Sequence, residues 1–190
     1  MTPAEIALEL QRLLAAGRTF PKRPLSSAAD ADADADADAV PPIRVVIADD
    51  HQIVLDGLRV LLEGEADIEV VGKAEDGAAA IRIAAELTPD VVVMDIRMPG
   101  LDGVEATREI RRRSPDTRVI ALSAESDPQT VDRMLRAGAS GYLTKQRAYG
   151  ELVQAIRAVM NGTLYLTPEV ARLIASGTLA APCARPRRRI

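Results

Sequence analysis

Asp49-Asp50 follows the apolar run IRVVIA, Asp95 follows VVVM, Ser123 follows RVIAL, and Lys145 stands just past SGYLT. Each of these ionisable or hydroxyl residues closes a short aliphatic stretch of strand length. In an open parallel α/β sheet the carboxyl ends of the strands converge on one crevice. Three carboxylates, an ammonium and a hydroxyl would meet there, a set that suits a divalent cation together with a phosphoryl group. Adjacent carboxylates on a sheet edge repel by roughly a few kcal/mol at about 4 Å, so something cationic should offset them. Mg²⁺ fits, because it takes oxygen ligands, keeps several waters and commonly bridges carboxylates to phosphate.

The elements that must carry these residues alternate regularly. Strand-like runs occupy 43–48, 68–74, 91–94, 119–123 and 141–143, and helical patterns occupy 53–63, 77–87, 103–113, 128–137 and 150–161. Strands separated by helices of this length imply right-handed crossover units and a parallel sheet. Near-continuous Val and Ile runs imply strands covered on both faces. The expected fold is α/β: a flavodoxin-like, doubly wound, five-stranded parallel sheet with helices on both faces. Gly64, Gly138 and Gly162 follow helices where left-handed caps are expected. Thr167-Pro168-Glu169 then opens one more short helix.

Outside this unit the chain reads differently. Residues 1–20 hold a short amphipathic helix with Ile6, Leu10, Leu13 and Leu14 at helical spacing. Residues 21–42 are rich in Ala, Asp and Pro; alternating Ala and Asp from 29 to 39 gives no apolar face, so a solvated, disordered linker is expected. The folded domain is expected over 43–162, with a linker helix and a basic tail (Arg185, Arg187, Arg188, Arg189) over 163–190.

Composition narrows the function classes. Aromatic residues make up 2% of the chain, which leaves an aliphatic core and no base-stacking platform for single-stranded nucleic acid. A net charge of -4 argues against a basic nucleic-acid face over the whole molecule. No apolar run approaches the roughly 20 residues needed to cross a bilayer. Glu5 and Glu9 interrupt the first apolar stretch, which does not read as a secretory signal, and a lone cysteine, Cys183, excludes an intramolecular disulfide. The expected compartment is the cytoplasm.

The stretches VVIADDHQIVLDGLRVLLE, VVGKAEDGAAAI, PDVVVMDIRMPGLDGVEATREIR, VIALSAE and RAGASGYLTK together resemble the receiver domain of bacterial two-component response regulators, in the NarL/FixJ (LuxR-like) branch. The resemblance implies that Asp95 is the phosphoacceptor for a phosphohistidine on a sensor histidine kinase or for a small phosphodonor. It implies that Asp50 ligates Mg²⁺ directly, that Asp49 holds a coordinated water, and that the Asp95 carboxylate and the Arg97 backbone carbonyl complete the protein ligands. Lys145 and Ser123 would each engage a phosphoryl oxygen. Tyr142, three residues before Lys145, matches the family's aromatic switch position and would rotate inward as Ser123 is drawn to the phosphoryl group. The face made by the fourth helix, last strand and last helix would then change, favouring a partner or a homodimer through the receiver. Arg97 and Glu125 occupy positions that tune hydrolysis in the family. His51, the sole histidine, reads as a polar loop residue and not as a ligand or phosphoryl carrier.

The chain departs from the branch after Ile174, where no helix-turn-helix domain follows, so no direct DNA binding and no membrane contact are expected. Two readings stay open: a receiver that acts without its own output domain, or a NarL/LuxR-type transcriptional regulator whose DNA-binding half is missing. No enzymatic turnover is expected beyond Mg-dependent self-phosphorylation and self-dephosphorylation. A haloacid-dehalogenase-like phosphatase would want an acid two residues after the nucleophile, where Arg97 stands, and an acidic pair after the Lys.

Overall fold

The computed structural model describes residues 41–124 and 126–175. The helix expected over 1–20, the linker up to residue 40, Glu125, Cys183 and the basic tail lie outside the described residues. The chain runs β1 (Ile43–Ala48), α1 (Gln52–Glu63), β2 (Ile68–Ala74), α2 (Gly77–Leu87), β3 (Val91–Asp95), α3 (Gly103–Arg113), β4 (Arg118–Ser123), α4 (Pro128–Ala137), β5 (Gly141–Thr144), α5 (Lys145–Met160), β6 (Tyr165–Leu166) and α6 (Pro168–Ala175).

All strand pairs are parallel, in the order β2-β1-β3-β4-β5-β6. The chain reverses direction across the sheet between β1 and β3, which makes their carboxyl ends the topological switch point. Alternate residues face opposite layers. Val45, Ile47, Val91 and Val93 pack with Leu55, Leu58, Leu152 and Ile156 of α1 and α5. Val46, Ala48, Val92 and Met94 pack with Ala80, Ala84, Ala106 and Ile110 of α2 and α3. Period-two burial on both faces is what the uninterrupted aliphatic runs require.

Aspartates start three of the helices. Asp76, Asp102 and Asp127 accept from the backbone amides of Ala79, Glu105 and Thr130 at 2.7, 2.8 and 2.9 Å, each satisfying an otherwise unpaired first-turn donor. Pro128 then occupies the first turn of α4, where its missing N–H costs nothing.

Three expectations are corrected. The sheet has six strands, not five, because Tyr165–Leu166 adds to β5. Two residues carry no readable alternation, so this strand exists through tertiary pairing alone. Helix α5 starts at Lys145, five residues before the pattern suggests, since Gly150 reads as a helix boundary and is in fact an exposed interior residue. Gly64 is right-handed (φ -72°), whereas Gly138 and Gly162 are left-handed at φ 102° and 77°. Among the described residues no helix is long and apolar enough to cross a membrane.

Candidate functional site

Strands β1 and β3 are neighbours, with Ala48 opposite Met94, so the residues that follow emerge side by side. Asp49 is fully buried and Asp95 is 3% exposed. The Lys145 ammonium, at the first turn of α5, donates to Asp49 Oδ2 at 2.6 Å and to Asp95 Oδ2 at 2.9 Å. Two buried carboxylates therefore share one ammonium, and the cleft retains an uncompensated negative charge. Asp50 adds another carboxylate at the rim.

His51 caps α1 and closes the other side. Its amide donates to Asp49 Oδ1 at 2.9 Å, and its Nδ1 lies 2.7 Å from Asp50 Oδ1 and 3.2 Å from Asp49 Oδ1. One ligand atom from each of Asp49, Asp50, His51 and Asp95 falls within 4.8 Å of all the others, an arrangement that can hold a metal ion. The donor set is dominated by hard oxygen and is short of positive charge, as a divalent cation needs. His51, read from the sequence as a loop residue, is thus part of the cluster's wall.

Burial, and next the charge of Asp49, hold the Asp95 carboxyl above the ordinary carboxylate range, against the pull of Lys145 and a hydrogen bond from the Arg97 amide. Burial alone would lower the Lys145 ammonium, but the Asp95 and Asp49 charges together outweigh it and its pKa is raised. The Asp95 carboxyl is thus kept desolvated beside the Lys145 ammonium.

Ser123 ends β4, one residue beyond the Leu122 that pairs with Asp95, and is 5% exposed. It lines a cavity of about 430 Å³ with Arg97, Met98, Thr130 and Arg133, the last paired with Asp102 at 3.0 Å. Tyr142 is fully buried, and its hydroxyl and that of Ser123 are hydrogen-bonded; burial pushes the phenol up to about 12. The ring expected to rotate inward on modification is already inside. The face expected to change, formed by α4, β5 and α5, is partly covered by β6 and α6.

The sequence reading missed Gly103 and Val170. A Cβ on Gly103 would lie 2.0 Å from the Asp95 carbonyl oxygen, so α3 can start against the site only with glycine there. The signal was the MPGLDG turn, in which Asp102 caps the helix and Gly103 follows. Val170 carries no such mark; only its burial beside Tyr142 reveals it.

Residues 45–157 match the response regulator receiver domain, and the chain belongs to that family. It is 43% identical over 133 residues to the response regulator GacA of Pseudomonas viridiflava, a match covering 70% of this chain and 62% of that relative. The chain thus spans less than two thirds of that protein's length. A LuxR-family two-component response regulator from Aurantimonas sp. SI85-9A1 superposes with a TM-score of 0.69 at 39% identity, covering 72% of this chain and 98% of that one. The isolated receiver domain of RcsB from Salmonella enterica serovar Typhimurium, solved in the presence of the phosphomimetic BeF3-, superposes with a TM-score of 0.64 at 34% identity, covering 70% and 98%.

Proposed function

We propose that this receiver takes a phosphoryl group on Asp95 from a sensor histidine kinase, in the cytoplasm, and transmits the change to a partner or to a second copy of itself. The reading is carried by one observation: Asp49 and Asp95, from adjacent strands, are bridged by Lys145 inside a cluster able to hold a metal. An Asp95 carboxylate oxygen attacks phosphorus, the new P–O bond forms, the P–N bond to the donor imidazole breaks, and the electron pair returns to that nitrogen. Lys145 and Ser123 receive the phosphoryl oxygens as charge builds on them. Asp50, the Asp95 carboxylate, the Arg97 carbonyl and, through a water, Asp49 would hold Mg²⁺, which supplies charge neutralisation to the transferring group. The remaining contribution is positioning, and no turnover is assigned beyond self-phosphorylation and self-dephosphorylation.

A second reading concerns output. DegU of Brevibacillus brevis and LiaR of Bacillus subtilis, 42% and 43% identical to this chain, are transcriptional regulatory proteins, which favours control of transcription as the output, as in a NarL/LuxR-type transcriptional regulator. The chemistry at Asp95 is the same in both.

The test is incubation with a small phosphodonor and Mg²⁺, followed by intact mass measurement. The wild type should gain one phosphoryl adduct, lost in EDTA, and Asp95→Asn should gain none. An adduct that persists in Asp95→Asn would remove that residue from its role.

A further inference from the structure

Past residue 162 the chain turns back onto the switch residue. Thr167 donates its amide to the Tyr142 carbonyl at 3.2 Å and Tyr165 donates to that of Ser140 at 3.2 Å, so β6 is bonded to the main chain on which Tyr142 stands. Val170 of α6 is fully buried in one cluster with Tyr142, Val131 and Met134, and Leu166 and Leu173 pack against it. A polar seam ties the same segment to α5. Arg147 reaches Glu151 at 2.6 Å and Glu169 at 2.9 Å, and the Tyr165 hydroxyl donates to Glu151 at 3.1 Å. Ala121 of β4 is the strand partner of Tyr142, and it shares the cluster with the ring, with Val131 and Met134 of α4 and with Val170.

The hydroxyl of that ring is bonded to Ser123. Val170 and the Tyr142 ring therefore belong to one apolar cluster, and the ring's hydroxyl leads from that cluster to Ser123 at the rim of the site. The cluster around the ring is close-packed and leaves it little room to swing, while Ser123 borders the open cavity, so it is the hydrogen bond to the Tyr142 hydroxyl that carries the ring's position to the serine.

We infer that the β6–α6 segment, through Val170, is a positioning element for phosphoryl acceptance: it holds Tyr142 inward and so presets Ser123. The inference rests on the Asp95 reading above. Preset groups need no ordering when the phosphoryl group arrives, so loosening the segment slows the reaction. A phosphoryl group on Asp95 gives the Ser123 hydroxyl a further partner, which holds Ser123 and the ring bonded to it, so modification should also tighten the segment.

The test uses the full chain with a small phosphodonor and Mg²⁺, read as the initial rate of adduct formation by intact mass. Val170→Ala should lower the rate about fivefold, a modest coupling between linked sites. Leu173→Ala, at a half-buried position, should lower it in the same direction and carries the test if Val170→Ala does not fold, as judged by thermal melting. In a Tyr142→Ala background the loss caused by either substitution should vanish. Amide exchange over residues 165–173 should slow in the modified wild type. No adduct on the wild type would sink the Asp95 reading. A wild-type adduct with unchanged rates in both variants, an equal loss with and without the Tyr142 ring, or unaltered exchange would each overturn the positioning role alone.

Discussion

The Lys145 ammonium stands 2.9 Å from the Asp95 carboxylate, with 12% and 5% of the two side chains exposed. Removing one member of a buried ion pair leaves the other uncompensated, and here it leaves two carboxylates facing each other. Lys145→Met keeps the apolar stem and deletes the charge. It should lower stability in EDTA by about 3 kcal/mol, with part of the loss recovered by Mg²⁺. The adduct rate should fall about a hundredfold, the scale for losing one group that stabilises developing charge. Urea melts with and without Mg²⁺, alongside mass measurement, separate the two effects.

Asp95 is held protonated to higher pH than an ordinary carboxyl, first by burial and then by Asp49. Between the unfolded value of 3.8 and the raised folded value, the native state binds the proton that the unfolded chain has released. Metal-free stability should therefore fall as pH rises through that window. Asp95→Asn removes this fall and leaves Lys145 paired with Asp49 alone, so the variant should exceed the wild type at neutral pH by on the order of 1 kcal/mol. Lys145, whose pKa is also raised, gives a fall of the same sign in a higher window: its stabilisation is complete below 10.5 and is lost only as pH rises beyond it. Urea midpoints across pH in EDTA, for both proteins, check the sign.

Most of the fold was legible because both periodicities are strong here. The bounds of β1, β2, α2, α3 and α4 agree with the sequence pattern residue for residue, since each is punctuated by a glycine, proline or capping aspartate. The convergence of Asp49, Asp50, Asp95 and Lys145 was legible for the same reason: strand-end residues in a parallel sheet have little choice of location. What the sequence could not show depends on contacts between distant segments. Tyr165–Leu166 is too short to carry a pattern, and its strand exists only because β5 offers an open edge. The buried Tyr142 shares its cluster with Val170, a residue that reads as an ordinary apolar position on a helix. Gly150 misled because helix-interior glycine is uncommon, and it persists where nothing packs against it.

That last residue gives a stability test independent of the site. Gly150 lies inside α5, is exposed, and a Cβ there would meet nothing within 4 Å. Glycine in a helix interior costs about 0.5–1 kcal/mol relative to alanine, mainly through the entropy of the unfolded chain. Gly150→Ala should raise the urea midpoint by that amount and leave the adduct rate unchanged. A loss of stability would mean that α5 does not run continuously through this position.

Gly103 sets the opposite case. It opens α3 with its amide donating to the Ile96 carbonyl at 2.9 Å, and an added Cβ would sit 2.0 Å from the Asp95 carbonyl oxygen and 2.9 Å from the Ile96 Cα. Both atoms are backbone, so no rotamer can relieve the overlap, and the main chain that carries Asp95 must move. Gly103→Ala should cost about 1–3 kcal/mol, the range for overpacking, and should also slow phosphoryl acceptance. Gly100 is the control: its φ is +76° and a Cβ there meets nothing within 4 Å. Gly100→Ala should cost about 1–2 kcal/mol through backbone conformation alone, while the acceptance rate stays near that of the wild type. Comparing rate against stability for the two variants distinguishes displacement of Asp95 from general loosening; equal rates at equal stability would mean that the close approach at Gly103 does not hold the acceptor in place.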